Sequence, residues 1–205
     1  MSTIKTIIFD FGDVFINLDK QGAIQNALDL FGLNELPEDL VAINTLYEQG
    51  LMSTSEFLGF YEENFPSLSK KDITNAWNFI LKDFPVKRLE FIKTLAKEGK
   101  YNLILLSNTN ELHINWIKKH VAFYEEFRAC FNKFYLSHEI NLRKPNSNIY
   151  EFVLTENNLK AENCFFIDDT KDNTEAATVL GIHVWNIDET KEDVIDLFTI
   201  NKSIF

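Results

Sequence analysis

The chain has 205 residues, 45% hydrophobic and 14% aromatic, enough to bury a full core in one domain or in one domain with an insert. Lysine and arginine number 20 against 31 aspartate and glutamate, and the net charge of −11 argues against polyanionic partners, so neither nucleic acid nor an anionic membrane is expected. No apolar run approaches the ~20 residues of a membrane span, and Met1 to Lys5 lack the pattern of a signal peptide. Cys130 and Cys164 lack any CxxC spacing, so a cytoplasmic protein with both cysteines reduced and buried in strands is expected.

Ile4 to Phe9 has the length and β-branched content of a first strand, and it runs into Asp10-Phe11-Gly12-Asp13. A carboxylate at the end of a buried strand can meet a metal and a substrate together. Gly12 allows close backbone approach, or a positive φ if the turn demands one. Aspartate and glycine also simply end strands, so this segment decides nothing alone. From Phe15 to Pro85 the spacing is helical, as in Ile24-Ala27-Leu28-Phe31 and Phe57-Phe60-Tyr61, with no convincing strand. Residues 15–85 therefore read as a helical cap over the strand ends, and residues 1–14 and 86–205 as the core.

Leu89, Ile92, Leu95 and Ala96 then repeat at helix spacing, with Gly99 as the stop. A second strand, Leu103 to Leu106, delivers Ser107-Asn108-Thr109-Asn110 at the start of another helical pattern. A serine hydroxyl beside the free N–H groups of a helix N-terminus can seat a phosphate oxygen, although Ser107 or Asn108 can equally cap the helix. Phe131 to Leu136 is the third strand. After it comes Leu142-Arg143-Lys144-Pro145, where a lysine held extended before proline can neutralise a phosphoryl group.

A helical face at Ile149, Phe152 and Val153 leads to the fourth strand, Cys164 to Ile167, which ends in Asp168-Asp169 with Asn173 close behind. Adjacent carboxylates after a buried strand repel one another unless a cation joins them. Oxygen-only ligands, without histidine or cysteine at zinc spacing, favour Mg²⁺. A helix through Ala176, Ala177 and Leu180 and a fifth strand, Ile182 to Trp185, close the series. Strand–helix alternation of this kind gives an α/β, Rossmann-like parallel sheet sandwiched by helices, with ligands at the carboxyl ends of the strands.

In this order, with an insert after the first strand, the four polar clusters resemble the haloacid dehalogenase-like superfamily of phosphohydrolases. Tyr47-Glu48-Gln49-Gly50-Leu51-Met52-Ser53 and Arg143-Lys144-Pro145 are similar to the branch holding small sugar-phosphate phosphatases and the amino-terminal domain of mammalian-type epoxide hydrolases. The resemblance implies that Asp10 is a nucleophile forming an aspartyl-phosphate and that Lys144 is the catalytic lysine. Ser107, Asn108 and Lys144 would bind phosphate. Asp10, the Gly12 carbonyl and Asp169 would hold magnesium, with Asp168 a further candidate ligand and Asn173 behind them. The implied activity is Mg²⁺-dependent hydrolysis of a small phosphorylated metabolite such as a sugar phosphate. Gly12 departs from the family pattern, which has a second aspartate there to protonate the leaving group. That departure leaves open a weakly active or inactive phospho-ligand-binding relative, with Asp13 the nearest spare carboxylate. A 2-haloacid dehalogenase is the third reading, opposed by the Asp168-Asp169 pair.

Overall fold

The computed structural model describes residues 4–205. Its elements, in chain order, begin with β1 (Thr6–Phe9) and four helices, α1 (Lys20–Phe31), α2 (Glu38–Glu48), α3 (Thr54–Asn64) and α4 (Lys70–Asn78). Next come α5 (Val86–Glu98), β2 (Asn102–Ser107), α6 (Glu111–His120), α7 (Tyr124–Arg128), β3 (Lys133–Leu136) and α8 (Ser137–Ile140). The chain continues through α9 (Ser147–Glu156), β4 (Cys164–Asp168), α10 (Lys171–Val179), β5 (His183–Asn186) and α11 (Leu197–Ile200). All five expected strands form.

The sheet is parallel throughout, in the order β3-β2-β1-β4-β5. Alternation of side chains along each strand sorts the core into two layers. Ile7, Phe9, Leu103, Leu105, Phe165 and Ile167 pack on one face, among the α5, α6 and α7 side chains. Ile8, Ile104, Leu106, Cys164 and Phe166 pack on the other, against α9 and α10. Both faces are covered, which is why the strands read as unbroken apolar runs. The chain turns from β1 toward β2 on one side and crosses back to β4 on the other, so the ends of β1 and β4 flank the switch point where ligands gather.

Helices α1 to α4 form a separate apolar cluster around Leu40, Tyr47, Phe57, Tyr61 and Ile73. Ser53 with Glu56 and Ser69 with Asp72 close capping boxes at the starts of α3 and α4. The two chain segments leading into and out of these helices run side by side. Leu18 bridges Leu81, Asn17 N–H donates to the Asp83 carbonyl at 2.9 Å, and Lys82 N–H donates to the Asn17 carbonyl at 3.0 Å. The expected stop at Gly99 ends α5 with φ 62°.

One expectation fails. Cys164 lies buried in β4, but Cys130 is only partly buried in the turn after α7, where its thiol donates to the Glu126 carbonyl at 3.3 Å. The helical hydrogen bonding of α7 carries on past Arg128 to Cys130 before the chain straightens into β3.

Candidate active site

The ends of β1, β2 and β4 and the loop between α8 and α9 converge. Asp10 follows β1 directly, its N–H bonded to the Ile167 carbonyl at 2.9 Å, so the backbone of β4 fixes where its carboxylate emerges. Lys144 is fully buried, with its ammonium 2.9 Å from Asp10 Oδ1 and 2.6 Å from Asp168 Oδ2, and it donates to the Leu106 carbonyl at 2.8 Å. Three acceptors thus surround a group with three protons. Asn108 braces this lysine from the side: its Oδ1 accepts the Lys144 N–H at 3.0 Å and its Nδ2 donates to the Lys144 carbonyl at 2.9 Å.

The two adjacent carboxylates of the fourth strand end differ sharply. Asp168 is completely buried and saturated: it accepts the Thr170 N–H at 2.8 Å, Asn173 Nδ2 on both of its oxygens at 3.0 and 3.1 Å, and the Lys144 ammonium. Asp169 meets only Lys20 through its carboxylate, while its carbonyl accepts from Asn186 Nδ2 at 2.8 Å. Lys20, the first residue of α1, also lies 2.8 Å from Asp13 Oδ2. Asp13 has φ 54° and its Oδ1 accepts the Leu18 N–H at 2.8 Å, so this carboxylate is committed to holding the loop after β1.

A cavity of about 390 Å³ opens onto these groups, with Asp10, Gly12, Lys20, Asn108, Lys144 and Asp169 in its wall. Ser107, at the end of β2, is buried and is not among the residues lining this cavity; its hydroxyl makes a long 3.5 Å contact with the Asn108 carbonyl. Gly12 is not in the left-handed region, so the expected positive φ belongs to Asp13 instead. What keeps residue 12 small is the Leu18 side chain, which a Cβ would meet at 2.7 Å.

Electrostatics tests whether a divalent cation suits the site. Asp10, Asp13, Asp168 and Asp169 face two ammonium groups, Lys20 and Lys144, which leaves a formal excess of two negative charges. Asp10 is raised to about 7, burial pushing it up most and Asp168 and Asp169 adding to the rise, while Lys144 pulls against them. Burial raises Asp169 as well, against the pull of Lys20. Burial would lower Lys144, but Asp10 and Asp168 outweigh it and hold the ammonium above its ordinary value. Asp10 Oδ1 is buried and, although close to Lys144, makes no well-directed hydrogen bond. Oxygens of Asp10, Asp168 and Asp169 all lie within 4.8 Å of one another. An oxygen-only donor set with surplus negative charge and an unsatisfied buried oxygen fits Mg²⁺.

Sequence reasoning brought Asp10, Gly12, Asn108, Lys144, Asp168, Asp169 and Asn173 to one place. It missed Lys20, which no local signal marks, because its partner lies 149 residues away in sequence. His113, close behind the second polar cluster, packs between the core and the cap: its ring bonds the Asn110 side chain at 3.1 Å and the Trp77 carbonyl at 3.0 Å.

The chain matches the family of haloacid dehalogenase-like hydrolases over residues 4–181 and belongs to it. Among curated proteins it is 28% identical over 200 residues to a D-ribitol-5-phosphate phosphatase of Bacteroides thetaiotaomicron, covering 89% of this chain and 91% of the relative. A crystal structure of a HAD family enzyme from B. thetaiotaomicron, a magnesium complex, is similar with a TM-score of 0.84 and 34% identity over 96% of this chain and 98% of that one. A wild-type structure of such an enzyme with magnesium and inorganic phosphate superposes with a TM-score of 0.82 and 34% identity, covering 95% of this chain and 99% of the other.

Proposed function

We propose that the chain is a magnesium-dependent phosphatase of small phosphorylated metabolites, sugar or polyol phosphates foremost, acting through an aspartyl-phosphate on Asp10. The observation that carries this reading is the Asp10 carboxylate at the cavity wall, with Lys144 2.9 Å from one oxygen and the Asp169 carboxylate within 4.8 Å. The named activity of the B. thetaiotaomicron phosphatase and the magnesium and phosphate held by similar structures support it.

In this reading Asp10 attacks phosphorus in line, the ester oxygen leaves, and water hydrolyses the aspartyl-phosphate. Lys144 favours the ionised form of Asp10 against the burial that opposes it, and its charge acts on the phosphoryl group. Ser107 and Asn108 seat phosphoryl oxygens. Asp10, the Gly12 carbonyl and Asp169 would hold the magnesium. Asp168, saturated by Lys144, Thr170 and Asn173, sets the position of the lysine. When bound, the cation screens the negative nucleophile from the negative phosphate. Residues 15–85, carrying α1 to α4, act as the cap that shapes the space for the leaving group. Cytoplasmic operation belongs to the same reading, supported by two unpaired cysteines and the absence, among the described residues, of a helix long and apolar enough to cross a membrane.

Neither alternative is favoured. A dehalogenase has no use for the acidic cluster around Asp169, and the named phosphatase activity of the B. thetaiotaomicron relative speaks against a binding-only reading. The test is release of phosphate from p-nitrophenyl phosphate with and without Mg²⁺, with Asp10→Asn as control. Metal-independent turnover, or wild-type turnover by the mutant, would exclude the mechanism.

A further inference from the structure

The segment Tyr47 to Ser53 is the one sequence motif that the catalytic reading leaves unused, and the structure gives it a position. Glu48, the last residue of α2, lines the catalytic cavity and also a second cavity of about 380 Å³ bounded by α1, α2, α4 and α6. Glu48 and Lys20 are the residues common to both linings. Its backbone is tied to the core: Ser137 Oγ donates to the Glu48 carbonyl at 2.6 Å, and Asn141 Nδ2 reaches the carbonyls of Gln49 at 3.0 Å and Gly50 at 3.2 Å. Gly50 has φ 67°, and a Cβ there would meet the His138 carbonyl oxygen at 2.0 Å, so only glycine permits the contact. The side chain is held too, with Arg143 Nε donating to Oε2 at 2.8 Å. No protein donor among the described residues reaches Oε1.

The cations nearby are all spoken for. Arg143 is paired with Glu48, and Lys20 with Asp13 and Asp169. His113, also in the wall of the second cavity, is driven by burial down to about 4 and is neutral near pH 7. The rest of that wall is mostly apolar, with Phe31, Leu36, Ile73 and Trp77 prominent. One further polar group faces in: Tyr61 donates to Asn44 Oδ1 at 2.7 Å, which leaves the Asn44 amide nitrogen without a protein partner. A leaving group in this space meets one rigid carboxylate able to accept from hydroxyls and one free amide donor. It meets no unpaired positive charge for a second anion.

Resting on the phosphatase reading above, we propose that Glu48 is a specificity-determining residue, which selects monophosphate esters of uncharged, hydroxylated alcohols and rejects those that carry a carboxylate or a second phosphate. The selection rests on Glu48 Oε1 as an acceptor for hydroxyls and on the lack of a spare cation for a second anion, since Arg143 and Glu48 offset one another. Apolar walls complement the C–H face of a polyol chain, while Glu48 and Asn44 meet its oxygens.

A matched pair of ligands isolates the charge: D-ribitol 5-phosphate and 5-phospho-D-ribonate differ at one terminal carbon. For wild type and Glu48→Gln, kcat/KM is measured for each, and Ki against p-nitrophenyl phosphate turnover where a compound is not hydrolysed. The wild type should favour the ribitol ester by about tenfold or more, mainly through KM or Ki, and Glu48→Gln should narrow that ratio severalfold. A wild-type ratio near one, a ratio unchanged in a folded Glu48→Gln, or failure of both compounds to bind while p-nitrophenyl phosphate is hydrolysed would each overturn the proposal. The wild-type ratio decides even if the variant does not fold. Failure of the phosphatase reading is distinct, because p-nitrophenyl phosphate itself would then show no magnesium-dependent turnover.

Discussion

Leu18 Cδ1 lies 2.7 Å from the point where a Cβ on residue 12 would stand. The missing second aspartate is thus a matter of space and not of backbone conformation, and the obstruction is the flexible end of one side chain. Gly12→Asp alone should fold with a cost of about 1–3 kcal/mol from overpacking, and Gly12→Asp with Leu18→Ala with less. Without an acid two residues after Asp10, kcat/KM in the wild type should depend steeply on leaving-group acidity across a series of aryl phosphates. The double mutant should flatten that dependence. A flat wild-type profile with chemistry rate-limiting would mean that another group supplies the proton.

Lys144 is the residue whose loss should cost most. Lys144→Met would leave Asp10 and Asp168 buried without their shared cation, a change worth about 3–5 kcal/mol in stability. Urea unfolding of the metal-free protein measures that directly. Turnover should fall by orders of magnitude, and Asp168→Asn, which keeps an acceptor for the lysine, should be milder in both assays.

Magnesium affinity should separate the two carboxylates and their neighbours. Asp169→Ala should weaken binding in a calorimetric titration more than Asn173→Ala, because Asn173 reaches the ion only through Asp168. Lys20 competes for the same Asp169 oxygen, so Lys20→Met should tighten binding. Its ammonium is almost half exposed, at 45%, and the expected gain is therefore only about two- to tenfold. Weaker binding by Lys20→Met would mean that the lysine orients Asp169 instead of competing for it.

The pH dependence of stability should carry the mark of His113. Its folded-state value, lowered to about 4 by burial, with the Trp77 carbonyl raising it and His138 lowering it further, lies below the 6.5 of a free histidine. The unfolded chain therefore takes up the proton first. Stability from this group is complete above about pH 6.5 and drains away as the pH falls toward about 4. Melting temperatures of the metal-free wild type should drop across that window more steeply than those of His113→Gln.

Much of this was legible from residue order. Strands buried on both faces announce themselves as apolar runs, and each run here ends in a polar cluster, so Asp10, Ser107, Lys144 and Asp168-Asp169 could be placed before any coordinates. Local spacing could not assign partners across the fold. That Asp13 is occupied with Leu18 and Lys20, and that Glu48 reaches Arg143, depends on where α1 and α2 come to rest against the strand ends. Cys130 misled for a related reason: a short apolar stretch reads alike as the end of a helix or the start of a strand.

The central place of β1 bears on how the chain is made. Thr6–Phe9 precedes every other strand of the sheet in the chain, yet pairs with Asn102–Leu105 on one side and Cys164–Ile167 on the other. One edge of this strand stays open until about half of the chain has appeared and the other until Cys164–Ile167 follow, and none of its ladder can be satisfied by neighbours in sequence. Parallel pairing between such distant segments is slow, and unpaired apolar edges invite association with other chains. Helices α1 to α4, whose contacts are local, can assemble while the strand waits. Nascent chains truncated before Cys164 should accordingly be the aggregation-prone species, and the nucleophile should be the first residue of the site to be synthesised and among the last to be positioned.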